Sequence, residues 1–351
     1  MVALSPSSGV VTGDRAPRAR LMLLGLLAVL VTVGAGSLAV GAAGVSPLAV
    51  LGDWLSGQGV SLRDRVILTD IRLPRLVTGA LVGASLAVSG AVLQGLFRNP
   101  LADPGLIGVS AGAGLGAVSA IVLGGMLPFA GPHLVPLAAF IGGGAVTLIL
   151  YRVSTRTGRT SIATMLLAGI ALAALAGAVM GLLIFRADDA QLRDITFWNL
   201  GSLAGSSWAK LAAAAPVMIA GLLAAPFLAR ALNALSLGEA AAMHLGIRVQ
   251  RVKALAVVSV AAAVGAAVAV SGGIGFVGIV VPHLLRLAMG PDHRFLLPAS
   301  ALLGAALLIG ADMVARVIVA PAELPIGIVT ALAGSPVFLW LLLRKRGLVD
   351  L

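Results

Sequence analysis

The stretch IRLPRLVTGALVGASLAVSGAVLQGLFRNPLADPGLIGVSAGAGLG, residues 71–116, decides the fold of this chain. It holds an apolar run of helical length that starts beside two arginines, Arg72 and Arg75. The run ends at the turn RNPLADPG (98–105), where each proline removes a backbone donor and disfavours helix in the residue before it. The pattern predicts a membrane-spanning helix, a reversal, and a second apolar helix.

The composition is that of a membrane protein. Apolar residues make up 60% of the 351 positions and charged residues only 11%, which leaves too little polar surface to cover a soluble domain of this size. The absence of cysteine excludes a disulfide scaffold, thiolate catalysis and cysteine metal sites. The net charge of +11 comes from cations scattered at the ends of apolar stretches, a pattern that argues against nucleic-acid binding.

The apolar segments predict an all-α, polytopic transmembrane helical bundle of about ten spans. The segments lie near 21–43, 71–96, 105–126, 134–152, 162–185, 208–229, 253–271, 274–289, 295–316 and 325–343. We expect an N-terminal tail over 1–20, one transmembrane domain over 21–346, and a C-terminal tail over 347–351. The first apolar run follows a basic stretch, but it is too long for the core of a cleaved signal peptide and predicts a retained span.

The cations also predict an orientation, because loops on the cytoplasmic side carry the excess of Lys and Arg. With the N-terminus inside, sixteen of the 24 cations fall on the cytoplasmic side and eight outside. This bias, with an even number of spans, places both termini in the cytoplasm. It also makes Arg72, Arg75 and Arg316 extracytoplasmic.

The chain has no recognisable means of hydrolysing ATP. A P-loop needs glycine directly before its lysine, whereas Lys210, Lys253 and Lys345 follow Ala, Val and Arg. The four histidines and 13 acids form no catalytic arrangement. We therefore predict that the chain is not an enzyme, binds no cofactor or metal, and that any hydrolysis takes place on a partner.

Two further phrases, SGGIGFVGIVVPHLLRLAMGPDHR (271–294) and ADMVARVIVAPAELPIGIVTALAGSPVF (311–338), complete a familiar pattern. Together with 71–116 they resemble the FecCD-like permeases of type II ATP-binding-cassette importers for iron-siderophores, haem and cobalamin, over about residues 45–344. The resemblance implies a homodimer in the bacterial inner membrane, in contact with lipid. It also implies two ATPase subunits carrying ATP and magnesium, one periplasmic substrate-binding protein, and an inverted repeat, of which PGLIGV (104–109) and PIGIV (325–329) are a weak trace.

The resemblance assigns roles to three groups of residues. The outer arginines Arg72, Arg75 and Arg316 correspond to those that accept glutamates of the binding protein. The segment SLGEAAAMHLGI (236–247), inside the predicted loop 230–253, resembles the part that rests on the ATPase, and Gln94, Asn99 and Leu101 correspond to the inner mouth of the pathway. The coupling residues are Ser236, Leu237, Gly238, Glu239, Ala242, Leu245 and Gly246.

The cargo is less sharply defined than the family. Haem ranks first, because the pathway offers few fixed charges or metal ligands and FWNLGSLAG (197–205) resembles the iron-chelate branch; ferric siderophore and cobalamin remain alternatives. Asp312 raises an alternative of another class, a proton-coupled secondary transporter, since an intramembrane acid can carry protons. Its neighbour one turn away, Arg316, predicts instead an ion pair within the helix.

Overall fold

A computed structural model describes residues 16–41, 44–57, 59–126 and 131–344. Most of the predicted N-terminal tail and the whole predicted C-terminal tail lie outside the described residues. Helix starts at Ala16, within the segment expected to be tail, so the first helix also includes the basic residues Arg18 and Arg20.

Fourteen α-helices and one short hairpin are present in the described part of the chain. In chain order they are α1 (Ala16–Ala39), α2 (Pro47–Leu55), α3 (Leu62–Val66), α4 (Leu73–Phe97), α5 (Val109–Leu123), α6 (Leu134–Ser154), β1 (Thr155–Arg156), β2 (Arg159–Thr160), α7 (Ile162–Phe185), α8 (Asp189–Leu200), α9 (Trp208–Leu235), α10 (Glu239–His244), α11 (Val249–Ser271), α12 (Val277–Met289), α13 (His293–Val317) and α14 (Ile326–Arg344). A π-helical turn, Ile67–Arg72, joins α3 to α4.

Every one of the ten predicted apolar segments contains a helix, so the all-α membrane fold is confirmed. Among the described residues, seven helices are long and apolar enough to cross a membrane, counting Leu62–Phe97 as one continuous helix. Three predicted spans form shorter apolar helices, Val109–Leu123, Val277–Met289 and Ile326–Trp340. The number of crossings and the inverted repeat stay predictions.

The helix α4 is the centre of the bundle, since most of its residues are buried and it packs on α9, α11, α12 and α13. Small residues permit this packing. A Cβ atom at Gly83 would overlap the backbone of Gly304 in α13, and one at Gly90 would overlap that of Gly278 in α12. The glycines that punctuate the quoted sequence therefore set how closely the central helices approach each other.

The ends of several helices differ from the prediction for local reasons. The helix before α4 starts at Leu62 because Ser61 caps it, accepting a hydrogen bond from the Asp64 amide, and its charged residues lie outside the packed bundle. The helix α5 starts only at Val109, because residues 104–107 form a 3₁₀ turn that ends at Gly108, where φ is 75°. The predicted loop 230–253 is largely helical, since α9 extends to Leu235 and α11 starts at Val249.

The central helix also fixes where the functional residues lie. Arg75 stands near the start of α4 and Gln94 near its end, a rise of about 28 Å at the helical rise per residue. This length is close to the thickness of the hydrocarbon core of a bilayer, about 30 Å. The two residues therefore mark opposite ends of the bundle, here named the arginine end and the glutamine end.

Candidate functional site

The arginine end is organised around one buried carboxylate. Arg75 donates from Nε and Nη2 to the Asp312 carboxylate at 2.8 to 3.1 Å, and from Nη1 to Glu323 at 2.9 Å. Arg316 approaches the same carboxylate at 3.1 Å from one helical turn away, so the predicted ion pair within α13 is confirmed. Asp312 is thus shared by two guanidinium groups, which offsets the cost of burying each charge.

Arg316 and Arg72 also bind the C-terminal end of α1, whose last carbonyls lack partners within the helix. Arg316 donates to the hydroxyl of Ser37 at 2.7 Å and to its carbonyl at 3.3 Å. Arg72 donates from Nη1 to the carbonyls of Leu38 and Val45. The side chains of both arginines are buried, and together they join α1 to α4 and α13.

The three predicted docking arginines are therefore brought together, as the sequence suggested, but each is engaged within the chain. Most of the hydrogen-bond donors of Arg75 and Arg316 already bind Asp312, Glu323 and α1. Arg72 differs, because its Nη2 has no hydrogen-bond partner among the described residues. Docking through these residues stays a prediction, because the Nη2 atom of Arg72 is itself buried in this arrangement.

At the glutamine end, Gln94 ties α4 to α12. Its Nε2 donates to the Gly278 carbonyl at 3.2 Å, and its Oε1 accepts from Nη1 of Arg286 at 2.5 Å. Gln94 is buried within the bundle rather than open to a pathway. Its predicted role at the inner mouth stays a prediction, and its observed contacts are those of a link between two helices.

The turn after α4 presents the other two predicted pathway residues. The Asn99 side chain accepts a hydrogen bond from the Leu101 amide at 2.9 Å, and Leu101 is exposed. Asp103 caps the next 3₁₀ turn by accepting from the Gly105 amide at 2.8 Å. Burial raises the pKa of the Asp103 carboxyl, although that hydrogen bond acts in the opposite direction. The turn is thus held by its own side chains, with one apolar residue outward.

The predicted coupling segment forms the helix α10 between two glycines. Gly238 precedes it with φ of 108° and Gly246 follows it with φ of 80°, values that favour glycine. Ser236 ends α9 by donating to the Asn233 carbonyl at 2.6 Å, and Ala242 is fully buried against the bundle. The segment is therefore a short helix of fixed position, not an extended loop.

Two features of α10 are suited to partner binding. Leu237 and Leu245 are exposed at 70% and 63%, and Met243, which the sequence reading missed, at 58%. Glu239 forms a 2.7 Å ion pair with Lys253 of α11, whose side chain is only 3% exposed. The segment therefore exposes apolar side chains on its surface, and one ion pair attaches it to α11.

The start of α13 lies in a polar cluster near the glutamine end. Asp292 caps the helix by accepting from the Arg294 amide, and it also accepts from Asn233 of α9 at 2.7 Å. Hydrogen bonds from the Arg294 side chain lower the pKa of Asp292 to about 2. No group of three or more His, Cys, Asp or Glu side chains within the described ranges could hold a metal ion.

Comparison with known proteins adds the family. Residues 26–344 match the FecCD transport family. The chain is 46% identical over 334 residues to the hemin transport system permease protein HmuU of Yersinia pestis, which covers 93% of this chain and 96% of that protein. It is 47% identical over 284 residues to the cobalamin import system permease protein BtuC of Halobacterium salinarum, covering 81% and 75%.

Bacterial vitamin B12 permeases and one solved structure agree with these relatives. The vitamin B12 import system permease protein BtuC of Klebsiella pneumoniae is 42% identical over 334 residues, covering 94% of this chain and 96% of that protein. A solved metal-chelate type ABC transporter in an inward-facing conformation superimposes with a TM-score of 0.82 at 33% identity, covering 93% of this chain and 99% of that one.

Proposed function

The chain belongs to the FecCD transport family, and we propose on that basis that it carries haem from the periplasm to the cytoplasm. It is a multi-pass inner-membrane permease of an ATP-binding-cassette importer. The family match over residues 26–344 carries this conclusion, because it runs from within α1 to the end of α14 and includes both polar ends of the bundle.

Haem is favoured as cargo by the relatives. Among the permeases that align over nearly their whole length, the hemin permease is 46% identical and the vitamin B12 permeases of Klebsiella and Salmonella are 42% and 44% identical. Cobalamin is the second candidate, because the archaeal cobalamin permease reaches 47% over a shorter overlap. A ferric siderophore remains the third, from the sequence pattern alone.

The working assembly in this proposal is a homodimer with two ATPase subunits, which hold ATP and magnesium, and one periplasmic binding protein. An incompletely packed helix supports the second copy: only 11% of the most apolar window of α7 is buried within the chain. Lipid or another subunit must cover such a helix. The cation distribution supports a cytoplasmic location for both termini.

The proposal also favours ATP over a proton gradient as the energy source. Asp312, the acid that suggested a proton carrier, is shared by Arg75 and Arg316, so its charge is compensated within the protein. A proton carrier needs an acid that exchanges its proton with the pathway. This arrangement supports a structural role for Asp312 in an ATP-driven importer.

Cargo can be tested with the complete transporter in liposomes. Uptake of haem and of cobalamin would be measured separately with saturating ATP, and each would then be tested as a competitor of the other. We expect haem uptake that excess cobalamin does not inhibit. Uptake of cobalamin alone would overturn the cargo while leaving the importer assignment intact, and uptake of neither would count against both candidates.

A further inference from the structure

A buried lysine connects the coupling helix to the start of α7. The Lys253 ammonium lies 2.7 Å from Oε1 of Glu239, in the first turn of α10, and donates to the Thr160 carbonyl at 2.9 Å. Burying an ammonium is costly unless charge and hydrogen bonds compensate it. Lys253 is therefore held by Glu239 in α10 and by Thr160 in β2.

A second side chain of α11 holds the same residue. Gln250, one turn before Lys253, accepts a hydrogen bond from the Thr160 amide at 2.9 Å. Residues three apart share one face of a helix, so both side chains reach the hairpin together. The backbone amide and carbonyl of Thr160 are thus both bound to α11, an unusually complete hold on one residue of a surface hairpin.

Thr160 connects α11 to the start of α7. It lies in β2, pairs with Thr155 across the hairpin, and is followed by Ser161, whose side chain caps α7 by accepting from the Thr164 amide at 3.2 Å. The contacts run without a gap from Glu239 through Lys253 and Thr160 to the first turn of α7. The bundle also holds the start of α7, since Met165 in its first turn is buried and Gly169 packs against Leu106.

We propose that Lys253 is a positioning residue that transmits displacement of α10 to the hairpin 155–160 and so to the start of α7. The inference rests on the proposed function, in which α10 contacts the ATPase. Displacement of α10 would reach Lys253 through Glu239. The Glu239 side chain is 36% exposed, whereas that of Lys253 is buried. A purely structural brace would stabilise the fold equally but would leave the response to ATP unchanged.

The experiment compares variants in the complete transporter, with permease, ATPase and binding protein in lipid. Glu239→Gln removes the charge with little change of shape, Lys253→Met removes the ammonium, and the double variant Glu239→Lys with Lys253→Glu restores an ion pair in reverse. Arg251→Met is the matched control, because Arg251 is an exposed cation in the same turn of α11. Hydrogen exchange of amides 155–161 is measured with and without ATP, beside ATP hydrolysis and subunit association.

We expect ATP to change exchange at 155–161 in the wild type and in Arg251→Met by about fivefold or more, the lower range of coupling between sites. In Lys253→Met the change should disappear while the ATPase still associates and hydrolyses ATP, because Lys253 lies outside the segment 236–247 assigned to ATPase contact. The reversed pair should regain part of the change. If Lys253→Met does not assemble, Lys253→Gln decides the question, since it removes the charge but keeps a neutral hydrogen-bond donor.

The outcomes separate the inference from the function on which it rests. A wild-type chain that does not associate with ATPase subunits would refute the proposed function. Association with an ATP response that is the same in Lys253→Met or Lys253→Gln as in the wild type would overturn the role of Lys253 alone. A wild-type complex that hydrolyses ATP without any change at 155–161 would also overturn it.

Discussion

Arg75 and Asp312 lie 237 positions apart in the sequence, yet three hydrogen bonds of 2.8 to 3.1 Å join their side chains. The pair fastens the start of α4 to the end of α13, and Arg316 binds the same carboxylate from within α13. Because α4 is the centre of the bundle, this contact fixes the geometry of the whole arginine end.

The first prediction concerns the shared carboxylate. Asp312→Asn leaves the buried Arg316 without an ionised partner and Arg75 with Glu323 alone, and breaking a buried pair typically costs about 3 to 5 kcal/mol. We expect a clearly lower midpoint of thermal unfolding for the purified chain in detergent. Asp189→Asn, an exposed residue of α8, should change stability by no more than about 0.5 kcal/mol. Equal midpoints for the two variants would contradict the assigned role of Asp312.

The second prediction concerns docking of the binding protein at the arginine end. Docking through Arg72 requires that binding uncover its Nη2, which is buried without a hydrogen-bond partner among the described residues. Arg72→Glu should then weaken binding of the protein about tenfold or more, because a charge pair at an interface is replaced by repulsion. The loss should diminish as salt rises. Affinity would be measured by biolayer interferometry on folded material. Arg63→Glu, an exposed cation before α4, is the control, and equal affinities for both variants would remove Arg72 from the docking site.

The third prediction concerns acid stability. The pKa of Asp292 is about 2 in the folded chain, below its ordinary value of 3.8, because Arg294 stabilises the carboxylate. The folded state thus binds this proton less readily, and the stabilisation is present above about pH 4 and lost as the pH falls toward 2. Asp292→Asn should therefore lower stability at pH 6 and flatten its decline between pH 5 and pH 3. An unchanged pH profile of the unfolding midpoint would contradict the assignment.

The fourth prediction concerns the outward side of the coupling helix. Leu245 is 63% exposed next to α10, and placing a charge there disfavours an apolar interface. Leu245→Glu should weaken co-purification of the ATPase subunit without changing the unfolding midpoint of the permease. Leu48→Glu in α2, which is 80% exposed but lies beside the arginine end, should leave co-purification intact. Retention of the ATPase by both variants would place its docking surface elsewhere.

The sequence predicted the helices better than the contacts between them. The ten apolar segments were found because burial in lipid leaves a hydropathy signal that needs no knowledge of neighbours. The helix α8 was not predicted, because its sequence DAQLRDITFWNL is polar and depends on a local signal, the capping box formed by Asp188 and Gln191. The π-helical turn before α4 leaves no comparable pattern.

In the candidate sites, contacts within one helix could be predicted from the sequence, and contacts between elements could not. The Arg316 and Asp312 pair could be predicted, because both residues lie on one helix four positions apart. The bond from Arg75 to Asp312 and that from Lys253 to Thr160 could not, since each joins elements whose proximity is decided by tertiary packing. Burial of Gln94 was likewise hidden, because apolar residues surround it on every side of α4.

The most direct test of the central claim is the energy source of transport by the complete transporter in sealed liposomes. We expect haem uptake to require ATP on the side of the membrane that carries the ATPase subunits. Uptake should stop when the ATPase is omitted and persist when a protonophore collapses the proton gradient. The permease alone should hydrolyse no ATP. Uptake by the permease alone that is driven by a proton gradient and abolished by the protonophore would contradict the account.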